Sequence, residues 1–303
     1  RKKLEQKYDF KSNSDTEIII YAYQEYGTRC LDLIEGDFAF CIYDSDKRIF
    51  FLARDRLGVN PLYYYAKDGK FMFASEIKAI LENSDVKRNI NKDALNKFIS
   101  LRYISGKSTI FDGVQRLLAG NYLIYDLDKK DFEIQKYWDI DVTQKAKGNE
   151  RQYCSDVLKL FEASVKQRLL SDVPLGAYLS GGIDSSAIVA MMHKIRKENE
   201  DKEEIKTFSV GFEQGSHVNE LPYAKKVSEL FDTNHKEIMI KPSVVDLLPK
   251  IIWNLDEPMA DPALIPVYLL SQDAKKDISV VLTGDGGDEV FGGYDQYKFL
   301  NLG

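Results

Sequence analysis

The segment Leu179-Ser-Gly-Gly-Ile-Asp-Ser-Ser186 concentrates residue types that bind phosphate. A strand-like run, Leu175-Gly-Ala-Tyr-Leu179, precedes it, and a helical pattern from Ser185 to Arg196 follows. An open α/β sheet puts its ligand at the carboxyl end of such a strand. Two glycines let the backbone turn sharply and approach an anion. The free amides of the helix start point at that anion, and the helix dipole favours negative charge there. Ser180, Ser185 and Ser186 add hydroxyl donors. Asp184 repels a bare phosphate, and makes sense as the holder of a divalent cation that neutralises one. No Gly-Lys-Ser/Thr follows, which excludes a Walker loop. The third glycine of the dinucleotide fingerprint is absent.

Two further acidic segments accompany it. Leu282-Thr-Gly-Asp-Gly-Gly-Asp-Glu-Val-Phe-Gly-Gly-Tyr294 follows the strand-like Ile278-Ser-Val-Val-Leu282. Its five glycines between Gly284 and Gly293 describe a mobile or close-packed loop beside a ligand, not a core. If Asp288 faces Asp184 across the sheet, the two can share Mg²⁺. The spacing and closing Glu of a calcium-binding EF-hand are absent. Asp256-Glu-Pro-Met-Ala-Asp-Pro-Ala263 lies between two helical patterns. It reads either as a rigid inter-helix turn or as a substrate-facing loop.

The elements that must position these segments fall into two blocks. Residues 1–138 read mainly as β with two early helices. Asp15 to Tyr26 is helical, with Asp15 as N-cap and Gly27 as C-cap. Strand-like runs follow at Phe38–Tyr43, Ile49–Ala53, Leu62–Ala66, Lys70–Ala74, Tyr122–Tyr125 and Phe132–Gln135, joined by short polar turns in hairpin fashion. Residues 139–150 are polar and aperiodic, and serve as the expected linker. From 151 to 303 short apolar runs alternate with helical patterns. Strands are expected at Thr207–Phe212 and His235–Ile240, and helices at Leu221–Phe231, Val244–Asn254 and Ile265–Lys275. That alternation argues for a parallel sheet with helices on both faces. The start, Arg-Lys-Lys-Leu, is an amphipathic charged stretch and not a signal peptide. With no initiator Met, and with Tyr294 to Gly303 reading as helix cut in mid-course, the chain is expected to be an internal piece of something longer.

Composition narrows the class. The chain has 303 residues, 44% hydrophobic and 30% charged, enough for about two domains. Its net charge of −6 lacks the basic balance of a nucleic-acid binder. No apolar run is long enough to cross a membrane. Cys30, Cys41 and Cys154 show neither disulfide nor zinc spacing, which favours a reduced, cytoplasmic compartment.

Together these residues resemble the synthetase domain of the glutamine-hydrolysing asparagine synthetase family, and Ser180 to Ser186 resembles the pyrophosphate loop of the N-type ATP pyrophosphatases. The first block resembles that family's glutamine amidotransferase domain at Ser14–Glu17, Gly36–Phe40, Ala53–Tyr63 and Phe73–Ala79. The resemblance implies an α/β plus α+β fold: part of a class II, Ntn-hydrolase-like amidotransferase domain, then part of an α/β parallel-sheet ATP pyrophosphatase domain. Asp15 matches the carboxylate that holds the α-amino group of glutamine. Leu179 and Val210 match contacts to the adenine nucleotide, and Ser180, Gly181, Gly182, Asp184, Ser185 and Ser186 match the pyrophosphate loop. Thr283 and Gly284 match a further nucleotide contact. Asp285 stands where some members have Glu, at a position linked to forming the acyl-adenylate, so it is the catalytic candidate. Asp184 and Asp288 are the candidate Mg²⁺ ligands.

The implied reaction activates the side-chain carboxylate of aspartate with ATP and amidates it with ammonia from glutamine. The products are asparagine, glutamate, AMP and pyrophosphate, and ammonia needs a path protected from water. The family's amino-terminal nucleophile Cys is not in this sequence, and none of the three cysteines substitutes for it. His193, His217 and His235 match no catalytic position and read as structural or surface residues. A related amidotransferase acting on another carboxylate, such as a sugar acid, stays open. So do a non-catalytic nucleotide-binding remnant and a homodimeric assembly.

Overall fold

The computed structural model describes residues 1–143, 145, 147–212, 219–240 and 245–300, apart from the side chains of 245 and 298–300. His217 and the end of the expected terminal helix lie outside the described residues. The chain forms two compact units. One comprises Arg1–Lys145 with Ile252–Ala260, the other Ala146–Ile251 with Asp261–Gly303.

In the first unit, helix α1 (Asp15–Tyr26) is capped by Ser14, whose hydroxyl accepts from the Thr16 amide. Asp15, expected as the cap, is instead the first helical residue. Ser14 has the extended backbone that an N-cap needs, and Asp15 adds negative charge to the first turn. Gly27 ends the helix at φ 57. Strands β1 (Ala39–Asp44), β2 (Ile49–Arg54), β3 (Tyr63–Lys67) and β4 (Lys70–Ala74) follow. Then come α2 (Ile77–Leu81), α3 (Lys92–Leu101), β5 (Val114–Arg116), β6 (Asn121–Asp126) and β7 (Asp131–Lys136). The three expected hairpins form, β3–β4 around Asp68 and Gly69, both at positive φ as a two-residue hairpin turn requires. They are divided between two antiparallel sheets, β1-β2-β6-β7 and β4-β3-β5.

Strand alternation then builds layers. Phe51 and Ala53 of β2 pack with Ala22 and Tyr23 of α1, while Leu52 points the other way onto Leu62, Tyr64 and Leu117. The far face of the second sheet, through Tyr63, Tyr65 and Val114, packs on Ile77 and Ile80 of α2. The unit is therefore layered helix, sheet, sheet, helix. A strand between two apolar layers has no polar face, which is why β2 reads as a continuous apolar run.

In the second unit the order is α4 (Glu150–Arg168), β8 (Leu175–Tyr178), α5 (Ile183–Glu198), β9 (Lys206–Phe212), α6 (Leu221–Leu230) and β10 (Asn234–Ile240). Next come a 3-10 turn at Val245–Leu247, α7 (Leu248–Leu255), α8 (Leu264–Ala274), β11 (Val280–Leu282), α9 (Gly287–Phe291) and α10 (Asp295–Leu300). The sheet order is β10-β9-β8-β11, and all three pairings are parallel. One face is buried through Leu179, Val189, Met192 and Ala224, which brings α5 and α6 onto it. The other face carries Phe208 against Leu270 and Ala274 of α8. Helices on both faces of a parallel sheet is the arrangement the sequence alternation implies. The ends of α7 differ in ownership: Leu248–Ile251 belongs to the second unit and Ile252–Leu255 to the first.

Candidate functional site

The order β10-β9-β8-β11 means that the sheet starts at β8, winds outward through β9 and β10, and then returns to the other side of β8. The crevice between β8 and β11 is thus a topological switch point, where open α/β sheets bind ligands beyond the strand carboxyl ends. Both glycine-rich segments emerge there: 179–183 from β8 and 283–287 from β11.

The first segment is braced by its own serines. The Ser180 and Ser185 hydroxyls lie 2.9 Å apart, the Gly182 amide donates to Ser180 Oγ at 3.2 Å, and the Ser180 amide donates to Ser185 Oγ at 3.2 Å. Ser180 and Ser185 therefore hold the loop's shape. Ser186 Oγ is buried, with no partner among the described residues. The helical ladder of α5 begins with the Ser186 amide donating to Gly182 O at 3.0 Å, so the amides of Ile183, Asp184 and Ser185 precede it, as at any helix start. Gly182 caps α5 without a side-chain hydrogen bond. The result is a set of backbone donors at the start of a long helix, the kind of helix end that favours an anion.

Glycine is obligatory around this loop for contact reasons. Gly181 sits at φ +82, and a Cβ there would lie 2.5 Å from the Ala224 amide nitrogen and from Tyr223 Cβ at the start of α6. A Cβ on Gly284 would meet the Ser185 nitrogen at 2.8 Å, and one on Gly287 would meet Asp184 Cγ at 2.5 Å. The loop after β11 is thus folded directly onto the first turn of α5, with the Asp184 carboxylate against Gly287.

Beside this contact, Thr283 Oγ1 donates to Asp285 Oδ2 at 2.9 Å, and Asp285 is exposed. Asp288 is half-buried, and its Oδ1 occupies the space a Cβ on Gly293 would need. Its carboxylate is therefore turned toward the Gly292–Gly293 bend. Leu179 is buried at 1% exposure, its amide donates to Phe208 O at 2.9 Å, and its carbonyl accepts from the Ser209 hydroxyl. Val210 packs with Phe208 on the face covered by α8. Among the described residues no three His, Cys, Asp or Glu converge as a metal cage. The Asp184 carboxylate lies against Gly287 and that of Asp288 against Gly293, so the two carboxylates have different neighbours on the loop after β11.

In the first unit, Asp15 is exposed at the head of α1, with Oδ1 accepting from the Thr16 amide at 2.8 Å. Two residues of this unit that carry no individual role in the sequence, Arg54 and Asp55, prove to frame a loop. Arg54, 9% exposed, donates to the carbonyls of Asn60, Leu117 and Gly58 at 2.7, 2.8 and 2.6 Å. Asp55, 1% exposed, accepts from the amides of Leu57, Val59 and Asn60 at 3.1, 3.0 and 3.0 Å. An Arg-Asp pair at a strand end followed by Gly and Asn-Pro is the available sign of such a loop. Burial pushes the thiols of Cys30 and Cys41 up to about 11, which keeps them as unreactive thiols. His193 packs on Phe231, and His235 Nδ1 lies 2.9 Å from Thr207 Oγ1, so both are structural.

Comparison with known proteins accounts for nearly the whole chain. Residues 1–138 match the glutamine amidotransferase domain family, and residues 156–303 match the asparagine synthase family. A putative glutamine-hydrolysing asparagine synthetase of Methanocaldococcus jannaschii is 40% identical over 296 residues, covering 96% of this chain and 56% of the relative. Asparagine synthetase 1 of Bacillus subtilis is 35% identical over 301 residues, covering 98% and 46%. A Penicillium rubens protein named amidase chyE is 30% identical over 317 residues, covering 98% and 46%. The chain spans about half the length of the curated relatives it matches.

Proposed function

We propose, from the premise that this chain belongs to the glutamine-hydrolysing asparagine synthetase family, that it serves the ATP-driven amidation of the aspartate side-chain carboxylate with ammonia taken from glutamine. One observation carries the reading: two glycine-rich loops leave adjacent parallel strands at a switch point and close on each other around Asp184. In this reading the second unit is an ATP pyrophosphatase fold. The first is a class II amidotransferase of the Ntn-hydrolase type, consistent with its helix-sheet-sheet-helix layering.

The substrate carboxylate attacks the α-phosphorus of ATP, the α–β phosphate bond breaks, and pyrophosphate leaves. Ammonia then attacks the acyl carbon, and AMP leaves with the bonding pair. The α5 amides bind the departing pyrophosphate, with Ser186 in the same first turn, in a loop that Ser180 and Ser185 hold ready beforehand. A divalent cation, when bound with the phosphates, would be held by Asp184 and Asp288 and would neutralise charge on the leaving group. Thr283, Gly284 and Asp285 border the same crevice, with Asp285 nearest in role to the reacting carboxylate. Leu179 and Val210 shape the sheet behind it. Asp15 offers its carboxylate to the ammonium of glutamine.

The test uses the full-length protein. Asp184→Ala abolishes pyrophosphate release with aspartate and ammonia while the melting temperature holds. Unchanged release sinks the assignment. A second reading, amidation of a different carboxylate, keeps the same machinery, and one relative matched over 98% of this chain carries a name other than asparagine synthetase, amidase chyE. Supplying aspartate and, separately, other carboxylates such as uronic acids, then identifying the amide formed, separates the two.

A further inference from the structure

The segment Asp256-Glu257-Pro258 lies inside the residues that match the asparagine synthase family, yet it belongs to the first compact unit. It is held there by side chains that find partners far away in sequence. Asp256 Oδ2 accepts the amide of Ile77, the first residue of α2, at 2.7 Å, and its Oδ1 pairs with Lys78 at 2.9 Å. Glu76, the N-cap residue of α2, makes no side-chain capping bond, so Asp256 supplies the cap from 179 residues away. Glu257 is 8% exposed. Its Oε1 accepts the Ile110 amide at 3.0 Å, and its Oε2 pairs with Arg116 Nη2. The Ala260 amide donates to Arg102 O at 2.9 Å.

A buried ion pair is a poor way to gain stability, because desolvation offsets the attraction, but removing one partner is costly because it leaves the other charge buried alone. The two ends of this anchor reach different parts of the chain. Arg116 is followed by Leu117, whose carbonyl Arg54 holds at 2.8 Å while also framing the 54–60 loop. On the other side the chain enters the second unit at Ile251 and again at Asp261, three residues before α8, the helix packed on β9. The segment 252–260 is thus connected to the Arg54 frame through Arg116, and to α8 through the covalent chain.

We propose that Glu257 and Arg116, with Asp256 and Lys78, are positioning residues that tie ammonia release from glutamine to its use in amidation. The proposal rests on the functional reading of the two units. The experiment uses the full-length protein carrying Glu257→Gln, with Lys78→Met as a milder second variant, since Lys78 is 21% exposed and at the rim of the anchor. Glutamate and amide product are counted with glutamine as nitrogen source, and amide product alone with ammonia. In the variants, glutamate formed per amide rises at least about fivefold, the lower end of coupling between distinct sites, while ammonia-supported synthesis keeps the wild-type rate. Should Glu257→Gln fail to fold, the same ratio is read in Lys78→Met. An unchanged ratio in a folded variant overturns the proposal alone, as does an equal loss with both nitrogen sources, which marks a structural role. Wild-type protein that makes amide from neither source overturns the functional reading and the proposal with it.

Discussion

The acidic residues at the β8–β11 crevice and those that follow α7 are similar in type and opposite in use. Asp256 and Glu257 are spent: between them their carboxylates take two backbone amides and two cationic side chains, and little of either is exposed. Asp184 is surrounded by glycine and backbone, with Gly287 against its carboxylate and Gly284 against the neighbouring amide. A carboxylate with its lone pairs already filled is framework, and one walled by glycine is free to meet a ligand. Acidity alone therefore does not identify a site; the neighbours that satisfy or spare the carboxylate do.

The largest effect expected on that comparison is at Asp184. Asp184→Asn in the full-length protein lowers the rate of pyrophosphate release by about 100-fold or more, the scale of losing one preorganised electrostatic contact, with the thermal midpoint unchanged. A rate loss that tracks a fall in midpoint would make Asp184 framework like Glu257. Arg116→Met gives the reverse pattern. It leaves Glu257 buried without its cation and destabilises the first unit by about 3–5 kcal/mol, read by urea unfolding. Gly181→Ala comes next. The positive φ and the 2.5 Å approach to Ala224 make any side chain costly, by more than about 1 kcal/mol, and pyrophosphate release falls with it.

The smallest effect is in pH dependence. The Lys47 amide and then its ammonium, with the Tyr23 hydroxyl, hold the Asp44 carboxyl down to about 2. A depressed pKa contributes stability that is complete above the ordinary 3.8 and is lost as pH falls through about 2. Burial acts oppositely on Glu257, raising its pKa against the pull of Arg116, so its ionisation weakens the folded state as pH climbs from the ordinary 4.5. Acid titration of Asp44→Asn loses the limb between about pH 4 and 2, and unfolding followed by circular dichroism checks it. An unaltered limb would assign acid sensitivity elsewhere.

Much of the local structure was legible. The hairpin turns, the strand before Ser180 and the helix after it depend on residues a few positions apart, so their signals are contiguous. Two helices long enough to have a period, α3 and α4, went unassigned because each buries a single residue, Ala94 and Val165, and so shows a thin apolar stripe. The rest of what stayed hidden was non-local or too short to have a period. Strand β5 has three residues, and α2 has five and takes its cap from Asp256. The N-cap of α1 fell one residue from its expected place because Ser14 and Asp15 are both good caps and only backbone conformation separates them. In the site, the sequence offered three serines as equal donors. The folded loop commits Ser180 and Ser185 to each other and leaves Ser186 Oγ buried without a partner among the described residues.

By itself the sequence determined the chemistry on offer: a glycine-serine loop between strand and helix, two acidic segments, and an acidic residue in the first turn of a helix. Only the tertiary structure decided which carboxylates remain available. The partners of Asp256 and Glu257 lie between 141 and 179 residues away, and no local pattern encodes a contact at that separation. Strand order did the same for the site, because it is the return of β11 to the open side of β8 that brings Gly284 and Gly287 onto Asp184.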